Sequence, residues 1–253
     1  MGRNVVILIA LVIIIYLAVG VLLFIKQRDF LYFPTGKTGH TFDEIIFSNE
    51  GESISVIAVS LGMKKAILYF GGNGESVVFS APDMARLFPS HTVYLFNYRG
   101  YGSSSGKPEE RGLYSDAQHI YDQIKLRHDD ISIIGHSLGS GVVTFLASER
   151  DVGKLVLITP FDSIKNVAQK KFWMYPMSLL LKDKFDSIGR VERVKAQTLV
   201  IAAENDEIIG RRHTENLIRA FPAAQIKVEI IKNAGHNTLS ADKRYSLLLR
   251  EFI

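Results

Sequence analysis

The chain has no cysteine among its 253 residues and a single tryptophan. The first absence excludes a disulfide scaffold, a thiol nucleophile and a Cys-ligated metal, and it leaves the redox compartment open. Internal repeats and low-complexity tracts are also missing. The net charge is +4, but the basic residues are scattered rather than clustered. That spread gives no footing for nucleic acid, although it is compatible with an anionic membrane surface.

Charge of either sign is absent from Val5 to Ile25, a run of mostly Val, Ile and Leu in which Tyr16 and Gly20 are the least apolar members. As a helix it would span roughly 30 Å, the thickness of a bilayer's hydrocarbon core. A cleavable signal peptide is usually shorter, and its only small-residue candidate, Ala18-Val19-Gly20, lies inside the run. A core helix would show a polar face. The expectation is therefore an uncleaved single-pass transmembrane anchor over 1–28, with Lys26-Gln27-Arg28 reaching headgroups. Arg3 on one side and Lys26, Arg28 and Lys37 on the other leave its orientation undecided. The aromatics of Asp29-Phe30-Leu31-Tyr32-Phe33-Pro34 suit either the bilayer interface or packing against the first strands.

The remainder, 29–253, is of a size that forms one core. Alternating stretches near Glu44–Phe47 and Ser53–Val59 flank Asn49-Glu50-Gly51-Glu52 and predict an antiparallel hairpin. Apolar strand-like runs then alternate with helical patterns. Strands are expected at Ala66–Phe70, Thr92–Phe96, Ile131–Ile134, Leu155–Ile158, Thr198–Ala202 and Ile226–Ile231. Helices are expected near Val77–Phe88, Glu110–Leu126, Gly139–Ser148, His213–Phe221 and Lys243–Phe252. This order predicts an α/β fold, a mostly parallel sheet with helices on both faces. The stretch from Asp162 to Gln197 is too long for a simple crossover and contains Phe172-Trp173-Met174-Tyr175-Pro176-Met177. It reads as a short helical lid over 162–197, or as ordinary packing of an aromatic cluster.

The most telling segment is Ile131-Ser132-Ile133-Ile134-Gly135-His136-Ser137-Leu138-Gly139, an apolar strand that stops at G-x-S-x-G and runs on into a small-residue helix. The two glycines leave room for a sharp turn that pushes the Ser137 hydroxyl out over the sheet edge. His136 beside it is expected to line the pocket floor. A serine hydroxyl is a weak nucleophile at neutral pH and needs a base held by a carboxylate. Downstream, Leu199–Ala203 runs into Glu204-Asn205-Asp206, and Ile230-Ile231 runs into Lys232-Asn233-Ala234-Gly235-His236. The order Ser137, Asp206, His236 suits a nucleophile elbow at the carboxyl ends of parallel strands. Glu204, Glu207 and Asp162 are rival carboxylates. The other histidines, His40, His91, His119, His128 and His213, read as surface, loop or helix positions.

Several blocks together resemble the α/β-hydrolase superfamily of serine hydrolases. They are Leu31-Tyr32-Phe33-Pro34, Tyr69-Phe70-Gly71-Gly72-Asn73-Gly74, the run from Asn97 to Gly106, Gly135-His136-Ser137-Leu138-Gly139, Asn205–Ile209 and Gly235-His236-Asn237. The likeness is strongest to a membrane-anchored branch related to prolyl-oligopeptidase-type peptidases, and it runs from Phe30 to the end. It implies an oxyanion hole built from the backbone N–H groups of Leu138 and Asn73. It also implies a pocket touched by Gly72, His136 and, from the lid, Trp173, with Arg99-Gly100-Tyr101-Gly102 as a structural buttress. Gly71 replaces a histidine frequent in relatives, and Gly210 a proline. No metal and no cofactor are implied.

The functional expectation is a membrane-anchored serine hydrolase that cleaves a carboxylic ester or thioester, with a lipid-acyl substrate among the candidates. A peptidase or amidase of the same fold is one alternative, and a catalytically idle membrane-tethered binding protein is another. Oligomeric state is not legible.

Overall fold

A computed structural model describes residues 2–253. Helix α1, Arg3–Leu31, is followed by strands β1 (Asp43–Asn49), β2 (Glu52–Val59) and β3 (Lys65–Phe70), then α2 (Ala81–Leu87) and β4 (His91–Phe96). Next come α3 (Glu110–Lys125), β5 (Asp130–His136), α4 (Leu138–Glu149) and β6 (Lys154–Ile158). The lid helices α5 (Ile164–Lys171) and α6 (Met177–Leu180) precede β7 (Gln197–Ala203), α7 (Arg211–Ala220), β8 (Ile226–Ile231) and α8 (Lys243–Phe252).

All eight strands form one sheet in the order β1-β2-β4-β3-β5-β6-β7-β8. The hairpin β1–β2 is antiparallel, β2 joins β4 antiparallel, and every later pairing is parallel. Its turn is made by Glu50 and Gly51, both at positive φ. The central strands are apolar on both faces because helices cover both: β4 is buried at every position and β3 at all but Lys65. Side chains alternate between two apolar layers. One gathers Leu68, Phe70, Leu113, Ile120, Val142 and Leu217 under α3, α4 and α7. The other gathers Ile67, Tyr69, Met84, Ile134, Leu248 and Leu249 under α2 and α8. Each fully buried Leu, Ile or Phe contributes roughly 1.5–3 kcal/mol.

The segment expected as a lid divides in two. Residues 164–181 project as α5 and α6, and Ser163 caps α5 by accepting the Asn166 N–H. The second half returns to the body, where Phe185, Val191 and Val194 are buried in the core. Gly141 of α4 makes room for Phe185 and Phe161, whose rings lie 3.0 Å from where a Cβ would stand. That burial fixes the second half in place and leaves only α5, α6 and the turn between them overhanging the sheet.

Helix α1 is one helix long and apolar enough to cross a membrane by length and composition, and its most apolar window is unburied. Its last turns do meet the body, and there Gln27 and Arg28, expected to reach headgroups, are engaged by the protein instead. Gln27 is buried, and Arg28 pairs with Asp183 at 2.9 Å and with Glu109 at 2.8 Å. The aromatic junction is shared between its two expected settings. Tyr32 is buried beside Phe185 and donates its hydroxyl to Asp183, whereas Phe30 and Phe33 stay exposed.

Candidate active site

Ser137 stands between β5 and α4 with φ 50° and ψ −112°, a conformation that L residues rarely adopt. Its neighbours make the turn possible. A Cβ on Gly135 would lie 2.4 Å from Val143, and one on Gly139 would lie 2.1 Å from the Phe70 carbonyl oxygen. The Ser137 N–H donates to Ile158 O at 2.9 Å, and the Ser140 N–H and hydroxyl both donate to Ser137 O. The strained residue is thus held from both sides.

The loops after β7 and β8 bring the other two expected residues to it. His236 Nε2 lies 2.9 Å from Ser137 Oγ, and His236 Nδ1 lies 2.9 and 2.8 Å from the two Asp206 oxygens. Asp206 Oδ1 also accepts the N–H groups of Ile208 and Ile209, so its carboxylate is fixed before the imidazole arrives. The tautomer that donates Nδ1–H to Asp206 would leave Nε2 free to accept a proton from Ser137. Both side chains are buried, which strengthens these interactions relative to water.

The rival carboxylates have other partners. Glu207 accepts the His236 N–H and Glu204 the Asn233 N–H, so both hold the histidine loop by its backbone. The hydrogen bond from His236 N–H holds the Glu207 carboxyl below its ordinary value. Asp162 lies among the Ser163 N–H, Asn166, Asn216 and His213, none of which reaches Ser137.

Leu138 opens α4, so its N–H has no intrahelical acceptor. The Asn73 side chain is locked: Nδ2 donates to Leu31 O, while Oδ1 accepts the Phe33 N–H and the Tyr101 hydroxyl. Among the described residues the Asn73 backbone N–H donates to nothing within the protein, whereas the Gly72 N–H is taken by Glu75. Tyr98 donates to Gly71 O, so the segment around Arg99 buttresses this turn rather than the elbow itself. Arg99 is in turn pinned by Asp116 through two bonds of 2.8 and 2.7 Å.

Two cavities meet at Ser137. One, about 650 Å³, runs under α2 and α8 and is lined by Gly72, Glu75, Ser80, Asp83, His136 and Ser240. The other, about 420 Å³, is lined almost wholly by apolar side chains, among them Leu23, Phe161, Val167, Phe172, Met177 and Leu180. Gly72 and His136 therefore lie where a ligand would touch them. Trp173 does not line either cavity. It follows the end of α5 and turns outward, 76% exposed, and the apolar wall expected from it is supplied by Phe172 instead.

A family model described as alpha/beta hydrolase fold matches residues 65–179. An uncharacterized protein of Mycobacterium tuberculosis is 32% identical over 246 residues, covering 89% of this chain and 86% of that protein. The chain has the α/β-hydrolase fold. An alpha/beta hydrolase domain-containing protein of Caenorhabditis elegans is 34% identical over 167 residues, 64% of this chain and 48% of its own. An esterase of Pyrococcus furiosus superposes with a TM-score of 0.71 at 15% identity, covering 87% of this chain and 97% of the esterase. None of these singles out a branch related to prolyl oligopeptidase.

Glu75 is the residue at this site that sequence reasoning missed. It gathers four donors: the Tyr69 and Ser80 hydroxyls and the Gly72 N–H, each at 2.7 Å, and His136 Nδ1 at 3.1 Å. Burial alone would raise its pKa, but the hydrogen bond and charge of His136 and the Gly72 N–H outweigh that and hold it at about 2. A Cβ on Gly71 would lie 3.0 Å from the Glu75 carboxyl carbon and from Val77, so glycine leaves the room this cluster occupies. The signal was its place directly after Gly-Gly-Asn-Gly, in a turn expected to face the site.

Proposed function

We propose that this α/β-hydrolase is a membrane-anchored serine hydrolase that cleaves a carboxylic ester or thioester through an acyl-Ser137 intermediate. The observation that carries the reading is the continuous chain from Ser137 Oγ through His236 to Asp206, with contacts of 2.9 and 2.8 Å. Ser137 Oγ attacks the acyl carbon as His236 Nε2 takes its proton, and Asp206 stabilises the resulting imidazolium. The carbonyl oxygen gains negative charge and is met by the Leu138 and Asn73 N–H groups, each such donor being worth about 3–4 kcal/mol in the transition state. Collapse breaks the bond to the alcohol or thiol, which leaves with the proton from His236. Water then attacks the acyl-serine, giving its proton to the same nitrogen, and the acid departs as Ser137 is restored.

The two cavities support an apolar acyl group and a polar leaving group. The polar cavity holds Glu75 and Asp83, and no Lys or Arg lines it, which favours a neutral or cationic leaving group over a phosphate-bearing one. Fold likeness does not select among hydrolases, so the substrate rests on the site alone. An anchor is supported by α1, most of whose large apolar side chains from Val5 to Ile25 are exposed, Leu23 being partly buried.

Labelling by a fluorophosphonate is the direct test. The chain should be labelled and hydrolyse p-nitrophenyl esters, and Ser137→Ala should lose both. Undiminished labelling of that variant would place the nucleophile elsewhere. Carbonate washing should leave the full chain in the membrane pellet, whereas a chain beginning at Asp29 should partition largely into the soluble fraction. Release of the full chain would remove the anchor.

A further inference from the structure

The apolar cavity beside Ser137 is closed on one side by α5 and α6 and on the other by α1, through Leu23, Gln27 and Phe30. The helix proposed as an anchor is therefore also a wall of the pocket.

The lid and the residues directly after it are fastened to that helix at three levels. At the base, Arg28 pairs with Asp183 at 2.9 Å. One residue earlier, Gln27 donates Nε2 to Leu180 O at 3.1 Å and accepts the Lys182 N–H at 2.6 Å. Far up the helix, Tyr16 and Tyr175 stack with ring centroids 4.6 Å apart. The Tyr16 hydroxyl donates to Met174 O at 2.6 Å and the Tyr175 hydroxyl to Tyr16 O at 3.2 Å. Gly20 admits the Tyr175 ring, which lies 3.4 Å from where a Cβ would stand.

Tyr16 sits near the middle of the uncharged run, roughly 16 Å along the helix from Gln27. The lid tip thus lies beside the half of α1 that a bilayer would surround. There it presents apolar side chains outward: Met174 is 57% exposed, Leu179 is 78% exposed, and Trp173 adds the largest surface. In water these would be a liability. Beside a spanning helix they lie in hydrocarbon, where their exposure costs nothing.

We infer that the acyl chain of a bilayer-resident, long-chain ester enters the site sideways, passing between α1 and the lid at the level of Leu23, between the Gln27 and Tyr16 fastenings, into the cavity without crossing water. On this view α1 is a substrate-binding element as well as a tether. The inference rests on the serine-hydrolase and anchor readings above and adds the route and the chain class to them.

The test uses the full-length protein in phosphatidylcholine vesicles, comparing 4-methylumbelliferyl palmitate held in the bilayer with the water-soluble acetate. Leu23→Trp fills the cavity from the α1 side, and the palmitate-to-acetate turnover ratio should fall about tenfold or more. Ile25→Trp, on the outward side of α1, should leave that ratio at the wild-type value. An unchanged ratio in Leu23→Trp overturns lateral entry. Because a tryptophan at 23 can also disturb the seating of α1, a second readout uses the wild-type chain. A long-alkyl fluorophosphonate with a terminal diazirine is bound to Ser137 in vesicles and irradiated. Crosslinks within 23–31 or 172–181 support the route, and crosslinks confined to 79–87 and 239–246, around the polar cavity, overturn it. A wild-type chain that neither takes up the probe nor hydrolyses the acetate brings down the hydrolase reading, and this inference with it. An active, labelled chain with an unmoved ratio brings down lateral entry alone.

Discussion

Two buried histidine–carboxylate pairs stand side by side at the carboxyl ends of β6 and β7. In one, His236 Nδ1 meets Asp206 at 2.8 Å and Nε2 meets Ser137. In the other, His213 Nδ1 meets Asp162 at 3.0 Å, and Nε2 is buried with no hydrogen-bond partner among the described residues. Their chemistry is the same and their surroundings are equally dry. The difference is what lies beyond the second nitrogen: a strained serine in one case, nothing that can react in the other. Asp162 instead ties together the start of α5, through Ser163 and Asn166, and the middle of α7, through Asn216. Burial alone does not tell the two pairs apart; the serine beyond the second nitrogen does.

The sharpest way to break that comparison is to neutralise each carboxylate in turn. Asp206→Asn should lower kcat by about 10⁴-fold, because the imidazole loses its oriented tautomer. Asp162→Asn should do the reverse. Its folded fraction should turn over substrate normally, while urea unfolding should show a loss of about 3–5 kcal/mol, the usual cost of breaking a buried charged network. If Asp162→Asn proved the more damaging to kcat, the acid would have to be reassigned to β6.

A third pair, His136 with Glu75, lies between these extremes because it touches a cavity but not the serine. Glu75 titrates at about 2 in the folded chain and near about 4.3 when unfolded. A depressed carboxyl stabilises fully above its unfolded value, and the stabilisation is lost as pH falls through the folded one. Glu75→Gln should therefore cost about 1–3 kcal/mol at neutral pH, and the gap from wild type should close as the pH approaches about 2. Urea titrations at several pH values check it. A gap that persists unchanged in acid would mean that shape, not charge, is what Glu75 supplies.

Much of this molecule could be read before any coordinates. The sheet was legible because its strands are short apolar runs rich in Val, Ile and Leu, bounded by polar turns. The final strand and helix, Ile226–Ile231 and Lys243–Phe252, coincide with their expected limits. Ser137, Asp206 and His236 were legible because each follows such a run at once, so one backbone rule puts all three on one rim. What stayed hidden depends on side-chain direction and on distant partners. Glu75 is a single acidic residue in a glycine turn, and its donors come from four other positions. Trp173 drew notice as a large aromatic, yet the end of α5 aims it outward, and Phe172 beside it turns in. Gln27 looked like a headgroup-facing residue because its neighbours are charged. The carbonyl and amide that bury it belong to Leu180 and Lys182, more than 150 positions away by the separations of 153 and 155.

The placement of β8 has a consequence for how this protein fails. It is the outermost strand on its side of the sheet and is mostly incompletely buried, yet the turn after it carries His236. Edge strands open at lower free energy than the centre of a sheet. His236 is joined to Ser137 across 99 positions of chain, so fraying at one margin disconnects them while the middle strands stay paired. Inactivation by mild urea should therefore precede the loss of circular dichroism, and it should reverse as soon as the urea is diluted. The enzyme's thermostat, in effect, is set at the rim of the sheet rather than in its core.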